Sequence, residues 1–247
     1  QLQLLVILAY NSIMKNTIQD KTKLVNSVFS KVYNKYDLMN DIMSLGIHRI
    51  WKEKFIDWMN PSANSKLIDV ASGTGDIAKL FSKRNNNTSE VTCIEPNNEM
   101  FQVGEKNLKE FKKINWINAH AEKLPLKDNT YDYYSISYGI RNVTDINKAL
   151  KEAYRVLKPG GRFMCLEFSK IDNEIIDFFY KQYSKAIPKI GKFIVGTSQP
   201  YEYLVKSIDE FYTQNQLIKL MNNNGFSNSK YRNLSNGVSA IHSGWKI

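Results

Sequence analysis

The stretch Leu67-Ile68-Asp69-Val70-Ala71-Ser72-Gly73-Thr74-Gly75-Asp76 sets a buried-strand pattern directly before a glycine turn, and a helix is predicted from Ile77. Glycines at 73 and 75 let the backbone approach a ligand without a Cβ in the way. A carboxylate or phosphate can lie against the amides at the start of the following helix. Such a ligand sits at the carboxyl ends of the strands. The run Gly73-Thr74-Gly75-Asp76-Ile77-Ala78 also satisfies the loose glycine pattern of dinucleotide sites, which alone is a weak signal. Asp69 tilts it, because an acid four residues before the first glycine suits a cationic amino-acid ligand better than a pyrophosphate. A helix cap is the other reading of Asp69. The next strand pattern ends at Glu95, 20 residues past Gly75, where an acid can accept both hydroxyls of a ribose.

Around this turn, short β-branched runs alternate with stretches at helical spacing, which signals a parallel sheet with crossover helices. Predicted strands are Lys66 to Ala71, Val91 to Glu95, Ile114 to Ala119, Tyr133 to Ser137 and Arg162 to Phe168, followed by Phe226 to Leu234 and Gly237 to Ile247. The clearest helix is Ile146 to Leu157, whose apolar residues share one face and which Pro159-Gly160-Gly161 stops. A helix is also predicted from Phe211 to Asn224, with Gly225 as its cap.

The chain of 247 residues reads as one domain over residues 22–247, with a helical amino-terminal region at 22–61 and a helical insertion at 172–210. Residues 1–21, apolar from Leu2 to Tyr10, read either as the remnant of a targeting segment or as a disordered start. Net charge is +10, but the lysines are scattered over solvated faces and no nucleic-acid reading motif appears, so nucleic acid is not an expected partner. Cys93 and Cys165 each sit in an apolar strand pattern and read as core thiols, neither a disulfide pair nor a metal site. No apolar run approaches the roughly 18 to 20 residues that span a bilayer.

Asp69-x-x-x-Gly73-Thr74-Gly75, the acid at 95, Ala121-Glu122 and Leu157-Lys158-Pro159-Gly160-Gly161 resemble, in order, the motifs of class I S-adenosylmethionine-dependent methyltransferases. The resemblance implies a Rossmann-like α/β fold: a mostly parallel seven-stranded sheet, helices on both faces and an antiparallel last strand. Two longer strings, residues 36–51 from Tyr36 to Trp51 and residues 155–169 from Arg155 to Ser169, closely resemble signatures of the ubiquinone and menaquinone biosynthesis C-methyltransferases of the UbiE type. Between them, residues 137–145 follow the same pattern. The likeness covers about residues 25–247. Departures are Glu95 where the family usually has Asp, His120 where Asn or Asp is common, and Ser72 where Gly or Cys is common.

By this resemblance S-adenosylmethionine is the cofactor, held by Asp69, Gly73, Thr74, Gly75, Glu95, His120, Ala121 and Ser137. His120 and Ala121 would flank the adenine, although His120 also reads as a solvated strand end. Arg141 and Asn142 are the expected catalytic residues, one stabilising a phenolate and the other orienting it. Tyr36, Asp37, Asn40, His48 and Trp51 are expected in a flap over the acceptor, with a helix cap by Asn40 or a surface position for His48 as the alternatives. Tyr138 and Glu167 complete the expected acceptor site, though Glu167 reads equally as a cap. No metal is expected.

The implied reaction is C-methylation of a polyprenylated benzoquinol in ubiquinone synthesis, with a demethylmenaquinol acceptor or a non-catalytic scaffold subunit as alternatives. The implied setting is a peripheral membrane surface alongside other quinone-synthesis proteins, in the mitochondrial matrix or, in a bacterium, the cytoplasm. A homodimer is left open. The aromatic residues of the insertion, interleaved with Lys181, Lys185, Lys189 and Lys192, read either as a packed hairpin or as a tail tunnel with lysines towards lipid. A base-methylating enzyme lacks its acid-proline-proline-aromatic motif here, and a dehydrogenase lacks a matching proton relay.

Overall fold

The computed structural model describes residues 46–247 together with Val25, Ser27, Ser30, Asp41 and Ser44. Tyr36, Asp37 and Asn40 therefore lie outside the described residues, as do residues 1–21. Among the described residues seven strands form one sheet in the order β3-β2-β1-β4-β5-β7-β6. These are β1 Lys66–Val70, β2 Glu90–Ile94, β3 Ile114–Ile117, β4 Tyr131–Ser137, β5 Leu157–Phe168, β6 Ser227–Leu234 and β7 Ser239–Trp245. Pairings from β3 through β5 are parallel, and β7 runs antiparallel to both β5 and β6. The fold is the one expected.

Alternation along the strands builds two cores, one on each face of the sheet. Leu67, Val91, Cys93, Met164 and Leu166 pack on one side, under the helices α1 (His48–Met59) and α2 (Asp76–Arg84). Ile68, Val70, Ile94, Phe163 and Cys165 pack on the other, with Leu150 and Ala153 of α4 (Ile146–Val156). Helix α3 (Asn98–Asn107) follows β2 and is capped by Asn97, whose side chain accepts from the Met100 amide. Both cysteines are buried thiols within strands.

Strand β5 starts at Leu157, well before the proline-glycine signal suggests. The Gly160 amide donates to the Lys246 carbonyl at 2.7 Å and the Lys246 amide to Gly161 at 3.0 Å, so the turn is drawn into the ladder with the chain end. Likewise α7 (Gln214–Asn223) begins at Gln214, not Phe211, because Thr213 and Gln216 form a reciprocal capping box and Phe211 turns into the core.

The insertion is a helical pair, α5 (Glu174–Val195) and α6 (Gln199–Glu210). Asn173 caps α5 and Gly196, at φ +85°, ends it. Ile187, Tyr201, Leu204 and Ile208 join the core, which is the packed-hairpin reading. Ile175, Phe178, Phe179 and Phe193 stay exposed, Phe193 at 93%.

Candidate functional site

The carboxyl ends of β1 and β4 are forced close together. Ala71 and Tyr138 both have φ +53°, and a Cβ on Gly139 would lie 2.5 Å from that of Ala71. The glycine turn leaves β1 here, and its ligand-facing groups are placed by neighbouring strands. Asp69 is buried; its Oδ1 accepts from Ser135 Oγ at 2.6 Å, while Oδ2 has no partner. Burial pushes its pKa up to about 7, against the pull of the Ser135 hydrogen bond. It does not cap α2, whose N-cap is Gly75 with no side-chain bond. Glu95, also buried, accepts from the Gly73 amide through Oε2 and from the Asn97 amide through Oε1, each at 2.9 Å. Burial pushes it to about 7 as well. Glu95 therefore braces the turn in addition to offering its remaining lone pairs.

The two glycines differ in use. At Gly75 (φ +89°) an added Cβ would stand 2.5 Å from Leu108 Cδ1, so the missing side chain there makes room for packing. Gly73 stands at φ +56° and borders the cleft.

A cleft of ≈ 730 Å³ opens over this floor, bordered by Gly73, Glu95, His120, Ala121 and Asn142. A smaller recess adjoins it, bordered by Asp69, Thr74 and Ser137. Ser137 Oγ is buried there without a partner, as is Asp69 Oδ2. Two buried, unpartnered polar atoms on residues lining one recess match the demand of a ligand ammonium, so the residues fit the amino-acid end of S-adenosylmethionine. His120 is exposed at the cleft, the solvated strand-end position, and Ala121 is buried.

Sequence reasoning passed over Pro96, Asn97, Met100 and Thr144, which also line the cleft. The signal for Asn97 and Met100 was an N-cap at the required spacing immediately after the acid. Glu122 carries no assigned role in the sequence motif; its Oε1 accepts from the Thr144 and Asp145 amides at 2.8 and 3.2 Å and so anchors the cleft wall.

At the acceptor edge, Arg141 and Asn142 lie on a 3-10 turn, Ile140–Asn142, just after β4. Arg141 Nη1 donates to Glu167 Oε1 at 2.6 Å and to the Tyr138 carbonyl at 2.8 Å. The two charged side chains are only 2% and 1% exposed. Glu167 Oε1 also accepts from the Phe168 amide at 2.9 Å; burial raises its pKa and Arg141 opposes the rise. Glu167 thus meets Arg141 rather than capping the next helix, which Asn173 caps. Of the two expected catalytic residues only Asn142 lines the cleft, Arg141 being drawn inward to Glu167; Asn142 Oδ1 accepts from Tyr203 of α6 at 3.0 Å, tying the insertion to this edge.

Tyr138 borders the cleft, but its ring packs on Phe168 at 4.9 Å between centroids. His48 is neither a surface residue nor set in the cleft lining. It is buried at the start of α1 with Nδ1 3.0 Å from Ser44 Oγ, and burial, then Lys52 and Arg49, lower its pKa to about 4.

Known proteins resemble this chain in architecture and in sequence. Structures of S-adenosylmethionine-dependent methyltransferases from Thermotoga maritima (TM-score 0.64, 20% identity, 90% of this chain and 99% of that one) and Aquifex aeolicus (TM-score 0.60, 16% identity, 79% and 89%) have the same fold. Proteins named ubiquinone/menaquinone biosynthesis C-methyltransferase UbiE are 52% identical in Rickettsia bellii and 51% in Rickettsia prowazekii, over 92% of this chain and 94% of theirs. One of the same name in Brucella abortus is 46% identical over 92% and 87%. The sequence profile of the ubiE/COQ5 methyltransferase family matches residues 15–246. With the turn, the acid-braced cleft and the unpartnered acceptors of its recess in place, the chain belongs to the ubiE/COQ5 methyltransferase family and is an S-adenosylmethionine-dependent methyltransferase.

Proposed function

We propose that this enzyme methylates a ring carbon of a polyprenylated benzoquinol in ubiquinone synthesis. The observation that carries the reading is Asn142: it borders the cofactor cleft and is held from the other side by Tyr203 of the insertion, so the acceptor edge lies where the two meet. The names of the relatives support a quinone product. When bound, S-adenosylmethionine supplies an electrophilic methyl group on a sulfonium.

The protein's own part is orientation and proton handling. An electron-rich ring carbon requires the quinol form with one hydroxyl giving up its proton. Asn142 orients that hydroxyl, and Arg141 steadies the developing phenolate. Glu167 fixes the guanidinium and tempers its charge, acting on the acceptor through Arg141. Tyr138 sets the edge by its backbone, whose carbonyl accepts from Arg141 and Asn142. Glu95 takes the ribose hydroxyls, and His120 and Ala121 flank the adenine. Tyr36, Asp37 and Asn40 belong to the flap.

The exposed apolar residues of α5, with Lys181, Lys185, Lys189 and Lys192 beside them, are proposed to rest on an anionic membrane surface from which the tailed substrate is drawn. The mitochondrial address gains no support from the relatives named above, which are bacterial, and the cytoplasm is the address proposed. Other quinone-synthesis proteins and a second copy of the chain remain proposed partners. Incubating the protein with labelled S-adenosylmethionine and each class of reduced quinol tests the reading. A methylated benzoquinol supports it, a methylated naphthoquinol moves the acceptor, and no methylated quinol refutes it.

A further inference from the structure

The recess beside the glycine turn measures ≈ 340 Å³ and carries a cation that no turn motif supplies. Lys52 reaches it from α1, with its side chain 8% exposed and Nζ bonded to Asp76 Oδ2 at 2.6 Å. Asp76 is the one hydrogen-bond partner of that ammonium among the described residues, and an ammonium has three donors. The donors not used by Asp76 are available to a ligand acceptor. The recess is also lined by Asp76 and Ile77 at the start of α2, a nine-residue helix whose first-turn amides have no side-chain cap, so it is rich in donors. The same recess is lined by Asp69 and Ser137, whose Oδ2 and Oγ are buried without a hydrogen-bond partner.

Donors and acceptors lining one recess are complementary to a carboxylate and an ammonium borne on one carbon. We infer that Lys52 binds the α-carboxylate of the cofactor's amino-acid end, while Asp69 and Ser137 hold the α-ammonium. The inference rests on the S-adenosylmethionine assignment. Asp76 keeps Lys52 folded against α2, so that the cation is aimed before any ligand arrives. Burial would raise the Asp76 carboxyl, yet Lys52 holds it below the usual value, as a fixed ion pair requires. Discrimination follows from the same geometry. A ligand with the adenosine but without the amino-acid end makes no use of Lys52.

Calorimetry on the parent and on Lys52→Met, with S-adenosylhomocysteine and with 5′-methylthioadenosine, tests this. The variant should lose affinity for S-adenosylhomocysteine by about tenfold or more and keep its affinity for 5′-methylthioadenosine within about twofold. Lys52→Arg, which preserves the charge, should stay near the parent with both. Retained 5′-methylthioadenosine binding also certifies a folded variant; should Lys52→Met fail to fold, Lys52→Gln gives the same comparison with a smaller change of polarity. Equal losses for the two ligands in a folded variant, or no loss for either, would overturn the inference. A parent that binds neither ligand would sink the cofactor assignment itself.

Discussion

Replacing Arg141 by alanine would leave Glu167 as a carboxylate 1% exposed without the cation now 2.6 Å away. Breaking one side of a buried ion pair costs about 3 to 5 kcal/mol, because the remaining charge is neither hydrated nor matched. In a chain of this size each kcal/mol moves the melting temperature by roughly 2 to 4 °C, so a fall of about 6 to 20 °C is expected. The pH dependence has a definite sign. Burial already raises the Glu167 pKa above its ordinary 4.5 while Arg141 opposes the rise, and the variant removes that opposition. A carboxyl raised in the folded state adds no penalty below its unfolded pKa, and the penalty grows as pH climbs from there towards the folded value. The variant should therefore lie nearer the parent at about pH 5 than at about pH 8. Thermal unfolding followed by circular dichroism at both pH values reads this directly, and Glu167→Gln in the Arg141→Ala background should recover part of the loss. A melting temperature unchanged at the higher pH, with turnover abolished, would refute the reasoning and give Arg141 to the acceptor alone.

Glu95→Ala should weaken S-adenosylmethionine binding by about 1.5 to 3 kcal/mol, through lost ribose bonds and a loosened turn; unchanged affinity by calorimetry would remove Glu95 from the cofactor site. Asp69 and Glu95 both stand near 7 without ligand, and a cationic donor favours their ionised forms. Affinity should therefore rise between about pH 6 and about pH 8 and then level, whereas a flat profile would contradict those shifts. Gly75→Ala should cost about 2 to 4 kcal/mol from a positive φ and a contact with Leu108, read as a lower melting temperature; a parent-like melt would show that the turn yields. Changing Lys185, Lys189 and Lys192 to Gln should reduce sedimentation with anionic liposomes, each lysine near a surface being worth about 1 kcal/mol, and spare activity on a short-tailed quinol. Liposome binding absent in the parent would leave α5 as packing.

The sheet was legible because alternation is a local property: Leu67, Ile68 and Val70 declare their faces without reference to any other segment. So was the cofactor turn, since glycine, acid and helix start all fall within one short run and its following strand. The last helix was placed to within a few residues, its start set by the Thr213 cap. Contacts between distant segments were not legible. Arg141 meets Glu167 only because β4 and β5 pair in a register that brings Ser137 beside Leu166, and sequence spacing carries no register. Lys52 enters the recess only because α1 packs against the start of α2, and the signature over residues 36–51 stops one residue before it, at Trp51. His48 offered the same chemistry whether exposed or buried, and burial decided it. The sequence alone determined the chemical groups, the order of elements and the class of ligand; tertiary structure decided which charges neutralise one another, because desolvation and partner distance exist only once the strands are paired and the helices packed.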